Sequence, residues 1–121
     1  MKKISPAVHH IAIEVTNVSR TREFLMAIFG LQEIPRLTEG QSSYGGAWFR
    51  LGNLDLHLQE RPRGGEKSGQ HFALLVDNFD DVIRKAPAFG GKVEEAKKLE
   101  GYSKRCFLRD PDNNRIEVLQ R

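Results

Sequence analysis

Three histidines and one glutamate stand where they could hold a metal ion together. In "VHHIAIEV", residues 8–15, Ile11, Ile13 and Val15 share one side of an alternating run, so His10 lies on the other. In "LDLHLQ" the leucines at 54, 56 and 58 share a side, and His57 points away from them with Asp55 and Gln59. In "HFALLV" Phe72, Leu74 and Val76 oppose His71, Ala73 and Leu75. In "RIEVLQ" Ile116 and Val118 oppose Arg115, Glu117 and Leu119. Four strands thus each offer an apolar side to a core and a His or Glu to the reverse side. Three neutral imidazoles and a carboxylate suit a borderline divalent cation (Fe, Mn, Ni, Co or Zn). Two of the histidines with Glu117 are enough for the two-His, one-carboxylate set that leaves positions open to substrate. His9, on the apolar side of its strand, fails the same test and reads as a filler or a hydrogen-bonding neighbour.

The elements that must position these residues can be read in order. After the first strand comes "NVSRTREFLMAIFG", in which Asn17 or Ser19 caps a helix, Phe24, Leu25, Ile28 and Phe29 form its apolar stripe, and Gly30 ends it. "LQEIPRL" reads as a short edge strand weakened by Pro35. A loop around Gly40 leads to "GAWFRL", and "GN" turns the chain into "LDLHLQE", a hairpin signal. Residues 61–69, "RPRGGEKSG", are the most loop-like stretch and the natural boundary. Then the order starts again: strand "HFALLV", helix "DNFDDVIRKAPAFG" cut short or kinked at Pro87, extended "GKVEEAKKL", strand "RCFLR", turn "DPDNN" and strand "RIEVLQ".

This order is a repeat. His10 and His71 both open a half, 61 residues apart; Phe29-Gly30 recurs as Phe89-Gly90, Asn53 as Asn113, and His57 is matched by Glu117, each 60 residues on. The fold expected is α+β: two paired βαβββ modules, about 7–60 and 70–121, joined by the 61–69 loop within one domain. Their sheets curl around a concavity and their helices lie outside. If the modules pair about a pseudo-two-fold, His10, His71, His57 and Glu117 converge there.

Bulk properties narrow the function classes. A chain of 121 residues with 29% charged residues is an ordinary globular domain, and no run approaches the ~20 apolar residues of a membrane span. The start, Met1-Lys2-Lys3-Ile4-Ser5-Pro6, has no apolar stretch after its basic end, and the single cysteine suits a reducing compartment, so a cytoplasmic location is expected. The net charge of +3 comes without a basic stripe, which argues against nucleic acid as partner. The partner expected is a small molecule, with an anion drawn by the rim arginines as one option. So short a chain buries limited surface alone, which favours a homodimer. Secondary contacts to substrate are offered by Trp48 and Arg50, which share a side of the third strand, by Tyr102 in "EGYSKR", and by Arg115 beside Glu117. Cys106 reads as a plain strand residue.

The segments "HHIAIEV", "FLMAIFGLQ", "LDLHL", "HFALLVDNFDDV" and "FLRDPDNNRIEV", in this order, resemble the vicinal oxygen chelate superfamily of glyoxalases, extradiol dioxygenases, fosfomycin-resistance enzymes and bleomycin-resistance proteins. The resemblance spans almost the whole chain. It implies paired βαβββ modules around a metal, with ligand positions on His10, His57, His71 and Glu117. It also implies a substrate bound through two neighbouring oxygens, by lyase, isomerase or dioxygenase chemistry. In the lyase or isomerase case Glu117 or a metal-bound water moves the proton. In the dioxygenase case His57 is an acid–base group and the other three are ligands. Glyoxalases carry Glu where this chain has His57, so His57 is either ligand or proton shuttle. The rival is a ligand-sequestering protein of the bleomycin-resistance type, with no catalytic metal.

Overall fold

The computed structural model describes residues 5–35, 46–63 and 69–121. The loop around Gly40 and most of the expected 61–69 connection lie outside the described residues. Module one contains β1 (His10–Val15), α1 (Val18–Phe29), β2 (Gln32–Ile34), β3 (Gly46–Leu51) and β4 (Leu54–Glu60). Module two contains β5 (His71–Leu75), α2 (Phe79–Lys85), β6 (Lys92–Glu95), β7 (Lys104–Arg109) and β8 (Arg115–Gln120). Each forms a four-stranded mixed sheet, in the orders β1-β4-β3-β2 and β5-β8-β7-β6. The first and last strands of a module run parallel and the others antiparallel. This is the expected α+β architecture, and β1 and β5 are edge strands, as are β2 and β6.

The alternation does what its pattern demands. Leu56 and Leu58 on β4 and Ile116 and Val118 on β8 are fully buried, together with Phe24, Leu25 and Ile28 of α1 and Val82 of α2. All belong to one continuous core that crosses from module to module. Helix α1 meets both β3 and β4 and packs on α2, so the helices cover one side of each sheet and join the halves. Phe24 makes that joint close. A Cβ on Gly91, just before β6, would lie 2.8 Å from Phe24 Cε2, so only glycine admits the ring.

Helix ends repeat between modules more faithfully than the sequence suggests. Asn17 caps α1, its side chain accepting from Arg20 N at 3.1 Å. The last strand of each module then turns a side chain back to its own helix: Glu60 Oε1 accepts from Val18 N at 3.0 Å, and Gln120 Oε1 from Phe79 N at 2.8 Å. Gly30 and Gly90 both end their helices in the left-handed region, at φ 64° and 87°. Pro87 does not stop the second helix outright. Its missing N–H converts the last turn to a 3-10 segment, Ala86–Phe89.

The hairpin turns depart from the repeat. Leu51 pairs with Leu54 across two residues, Gly52 and Asn53, with Gly52 at φ 62°. Arg109 pairs with Arg115 across the longer "DPDNN", where Asn113 takes φ 71°. The extra residues carry contacts between modules. Asp112 accepts from Thr16 N at 3.0 Å and Thr16 Oγ1 at 2.6 Å, and Asn114 Nδ2 donates to Glu14 O at 3.0 Å. Asp110, 3% exposed, holds the turn from inside by accepting from Asp112 N, Asn114 N and Asn114 Nδ2.

Candidate functional site

The four expected ligands fall into two pairs, one on each sheet, on the side away from the helices. On module one, His57 pairs across β3 with Trp48 and across β1 with Ala12, while His10 lies one position along the same side. Trp48 stacks flat on His57, with ring centroids 4.0 Å apart and planes 5° from parallel, and meets His10 edge-on at 5.2 Å. The His10 and His57 centroids are 6.4 Å apart. Burial, then the neighbouring charges of His10 and Arg61, lowers the His57 pKa from its usual value, so its imidazole is neutral at pH 7. His9 is a hydrogen-bonding neighbour: its Nδ1 lies 2.9 Å from His10 Nδ1, so that contact does not use His10 Nε2.

On module two the pair is in direct contact. His71 Nε2 is 3.1 Å from Glu117 Oε1. The other ring nitrogen, Nδ1, lies 2.9 Å from the Gly69 carbonyl oxygen, which can only accept, so Nδ1 carries a proton. A neutral His71 therefore turns the Nε2 lone pair toward a carboxylate oxygen. Two acceptors at that distance need a proton on the ring or on the carboxyl, or a metal ion between or beside them. Two ligands at right angles on a metal, each about 2.1 Å from it, stand roughly 3.0 Å apart. Glu117 is only 7% exposed, and a carboxylate so enclosed must be compensated.

Part of that compensation comes from a residue the parity reading did not single out. Arg105 on β7 donates from Nε to Glu117 Oε2 at 3.3 Å and from Nη1 to the Lys97 carbonyl at 2.8 Å. Its signal was present in the sequence: Arg105 alternates with Phe107 and Arg109, which flank Glu117 once β7 pairs antiparallel with β8. Phe107 is the counterpart of Trp48. It lies beside Glu117 in register and touches His71 edge-on at 5.1 Å. The Arg115 guanidinium sits 3.5 Å over the same ring, placing a second cation beside Glu117.

The remaining sequence candidates divide. Arg50 is on the His57 side and ion-pairs with the buried Asp55 at 3.4 Å, so its charge already has an internal partner. Tyr102 is half-buried in the turn before β7, at the Gln120 end of β8, whereas His71 pairs with Arg115 at the opposite end. Cys106 is buried on the core side, and burial pushes its thiol up to about 11. Among the described residues, no three His, Cys, Asp or Glu side chains of one chain come together as a metal-binding group. The His10–His57 and His71–Glu117 pairs thus do not merge into one cluster among the described residues. Between the edge strands β1 and β5 runs a cleft of ≈ 800 Å³ lined by Ile11, Ile13, Glu14, His71, Phe72 and Arg115. Among the described residues, no helix is long and apolar enough to cross a membrane.

The sequence profile of the Glyoxalase/Bleomycin resistance protein/Dioxygenase superfamily matches residues 7–118. The chain belongs to this superfamily. The fold agrees with solved structures of the superfamily's kind. A Bacillus anthracis protein described as of the glyoxalase family superposes with a TM-score of 0.78 at 24% identity, covering 99% of this chain and 98% of that one. The fosfomycin resistance protein FosX of Listeria monocytogenes superposes at 0.77, with 22% identity and coverage of 98% and 93%. FosX of Mesorhizobium loti superposes at 0.74, with 19% identity and coverage of 96% and 92%. A glutamate-to-glutamine variant of the Listeria protein was crystallised with Mn(II) and 1S,2S-dihydroxypropylphosphonic acid. At these identities the likeness is one of fold. A search of curated protein sequences gives no match.

Proposed function

We propose that this protein is a metal-dependent enzyme of the glyoxalase/dioxygenase superfamily that binds a small anionic molecule through neighbouring oxygens. His71 and Glu117 are the core of its metal site, His10 is a further ligand, and His57 is a ligand or the proton-moving group. One observation carries the reading: the His71 tautomer is set by the Gly69 carbonyl so that Nε2 and Glu117 Oε1 meet at 3.1 Å. The His10–His57 pair fits less tightly. At 6.4 Å its rings are at the limit for two imidazoles on one ion, whose centroids each stand roughly 3.2 Å from it, so a modest ring rotation accompanies joint ligation.

Because one chain does not gather three donors among the described residues, the two half-sites are completed between copies in a homodimer. The His10–His57 side of one copy faces the His71–Glu117 side of the other. A divalent cation there supplies Lewis-acid stabilisation of charge developing on a substrate oxygen. The chain's own residues do the rest. Arg115 draws the anion toward Glu117, Trp48 and Phe107 wall the site, and the neutral His57 or Glu117 accepts a proton from substrate.

The test is metal quantitation on protein purified without chelator, with its mass in solution. A panel of hemithioacetals, catechols and epoxides, the last including phosphonates and added thiols, then sorts the reaction class. About one metal per chain, a dimer, and turnover of one class support the reading. Substoichiometric metal with no affinity for added Fe, Mn, Ni, Co or Zn overturns it, and tight binding of a small molecule without turnover or metal establishes the sequestering alternative.

A further inference from the structure

We propose that Arg105 is the positioning residue of this site: it holds Glu117 so that a single oxygen is presented to the metal. The inference rests on the metal reading above. Glu117 has two oxygens with different partners, Oε1 against His71 Nε2 at 3.1 Å and Oε2 against Arg105 Nε at 3.3 Å. A carboxylate with one oxygen engaged by a guanidinium cannot swing that oxygen onto a cation without breaking the bond. Glu117 is thereby held to one-oxygen ligation, which keeps a coordination position open for substrate. Arg105 is itself anchored. Its Nη1 donates to the Lys97 carbonyl at 2.8 Å, its guanidinium lies 4.9 Å from the Phe107 ring centre, and its side chain is only 20% exposed. Three contacts from one planar group fix the direction from which Nε reaches Glu117, a demand that suits arginine and not lysine.

Arg109 supplies the internal comparison. It shares the strand and the side of Arg105, is as well buried, and its guanidinium serves Glu94 (3.1 Å) and the Asn113 carbonyl (3.2 Å). A purely structural role for strand β7 arginines would make the two equivalent.

The experiment titrates full-length wild type, Arg105→Gln, Arg105→Lys and Arg109→Gln with Mn(II), Ni(II) and Zn(II) by calorimetry, and records the melting temperature of each metal-free protein. Arg105→Gln is expected to weaken the metal about 10–100-fold, the range for loss of a hydrogen-bonding partner behind a ligand. Arg105→Lys should recover part of that loss, and Arg109→Gln should melt lower while binding metal within about twofold of wild type. Equal affinity of Arg105→Gln and wild type overturns the proposal, as does an equal loss in Arg109→Gln, which would mean general loosening of the strand. If Arg105→Gln does not fold, Arg105→Lys carries the test, with wild-type affinity overturning the proposal. A wild type that binds none of the three ions overturns the metal reading and this inference with it, whereas a metal-binding wild type with an indifferent Arg105 overturns the inference alone.

Discussion

Asp112 is the side chain whose removal should do most to separate the modules. It belongs to module two's "DPDNN" turn, but its carboxylate is spent on module one, accepting from Thr16 N at 3.0 Å, Thr16 Oγ1 at 2.6 Å and Arg20 Nη2 at 3.2 Å. The side chain is 7% exposed, so it gave up water for these bonds. The Arg20 pair, with the guanidinium 47% exposed, adds little after solvent screening. The two Thr16 bonds are charge-assisted, worth about 1.5–3 kcal/mol each before correction. Thr16 is exposed and its donors return to water when the carboxylate goes, which puts the pair at the lower end. Asp112→Ala should therefore lose about 2–3 kcal/mol, or roughly 8–12 °C in melting temperature for a chain of this size. Urea unfolding at one fixed protein concentration measures it, since any dimer makes stability concentration-dependent. Thr16→Val completes a double-mutant cycle, with a coupling of about 1 kcal/mol expected from the hydroxyl bond. A loss under about 0.5 kcal/mol, or strict additivity in the cycle, would refute the reasoning.

Three other expectations follow from particular contacts. Gly91→Ala places a Cβ 2.8 Å from Phe24 Cε2 and 3.1 Å from the Ala86 carbonyl, and should destabilise by about 1–3 kcal/mol in the same urea assay, unlike Gly→Ala at an open surface site. The His57 pKa is lowered chiefly by burial, so over the window between its folded value and 6.5 the unfolded chain binds more protons, and this contribution to stability is lost as pH falls through that window. The only tryptophan, Trp48, stacked on His57 at 4.0 Å, should report the protonation as quenching with a midpoint below 6.5 in metal-free protein; a midpoint at or above 6.5, or persistence in His57→Gln, contradicts the assignment. Cys106, 4% exposed with its thiol pushed up to about 11, should resist a disulfide reagent at pH 8 until denaturant is added, and rapid labelling of the native protein would contradict its burial.

Much of this protein is legible in its sequence because strand alternation and helix capping are local. A period of two assigns each side chain to a face before any partner strand is known. That is why His10, His57, His71 and Glu117 were separable from the core leucines, isoleucines and valines without coordinates. The repeat was legible for the same reason, since Gly30 and Gly90 must recur wherever the same helix end recurs. Long-range register was not. Nothing local says that β7 lays Phe107 opposite Glu117 and so brings Arg105 to its second oxygen, or that β4 lays His57 beneath Trp48. Arg50 looked as available for an anion as Arg115 until strand pairing set it beside Asp55.

The sequence alone determined the two βαβββ modules and which face of each sheet bears donors, because these follow from periods of two and 3.6 residues. Only the tertiary structure decided how the donors combine. His71 and Glu117 meet because β5 pairs with β8 inside a module, and His10 meets Trp48 and His57 because β1 pairs with β4. Among the described residues the strands form two separate sheets, so the four residues remain two and two within one chain. The division into two pairs is a consequence of strand pairing within each module, while the modules themselves are joined by α1 packing on α2 and by the core they share.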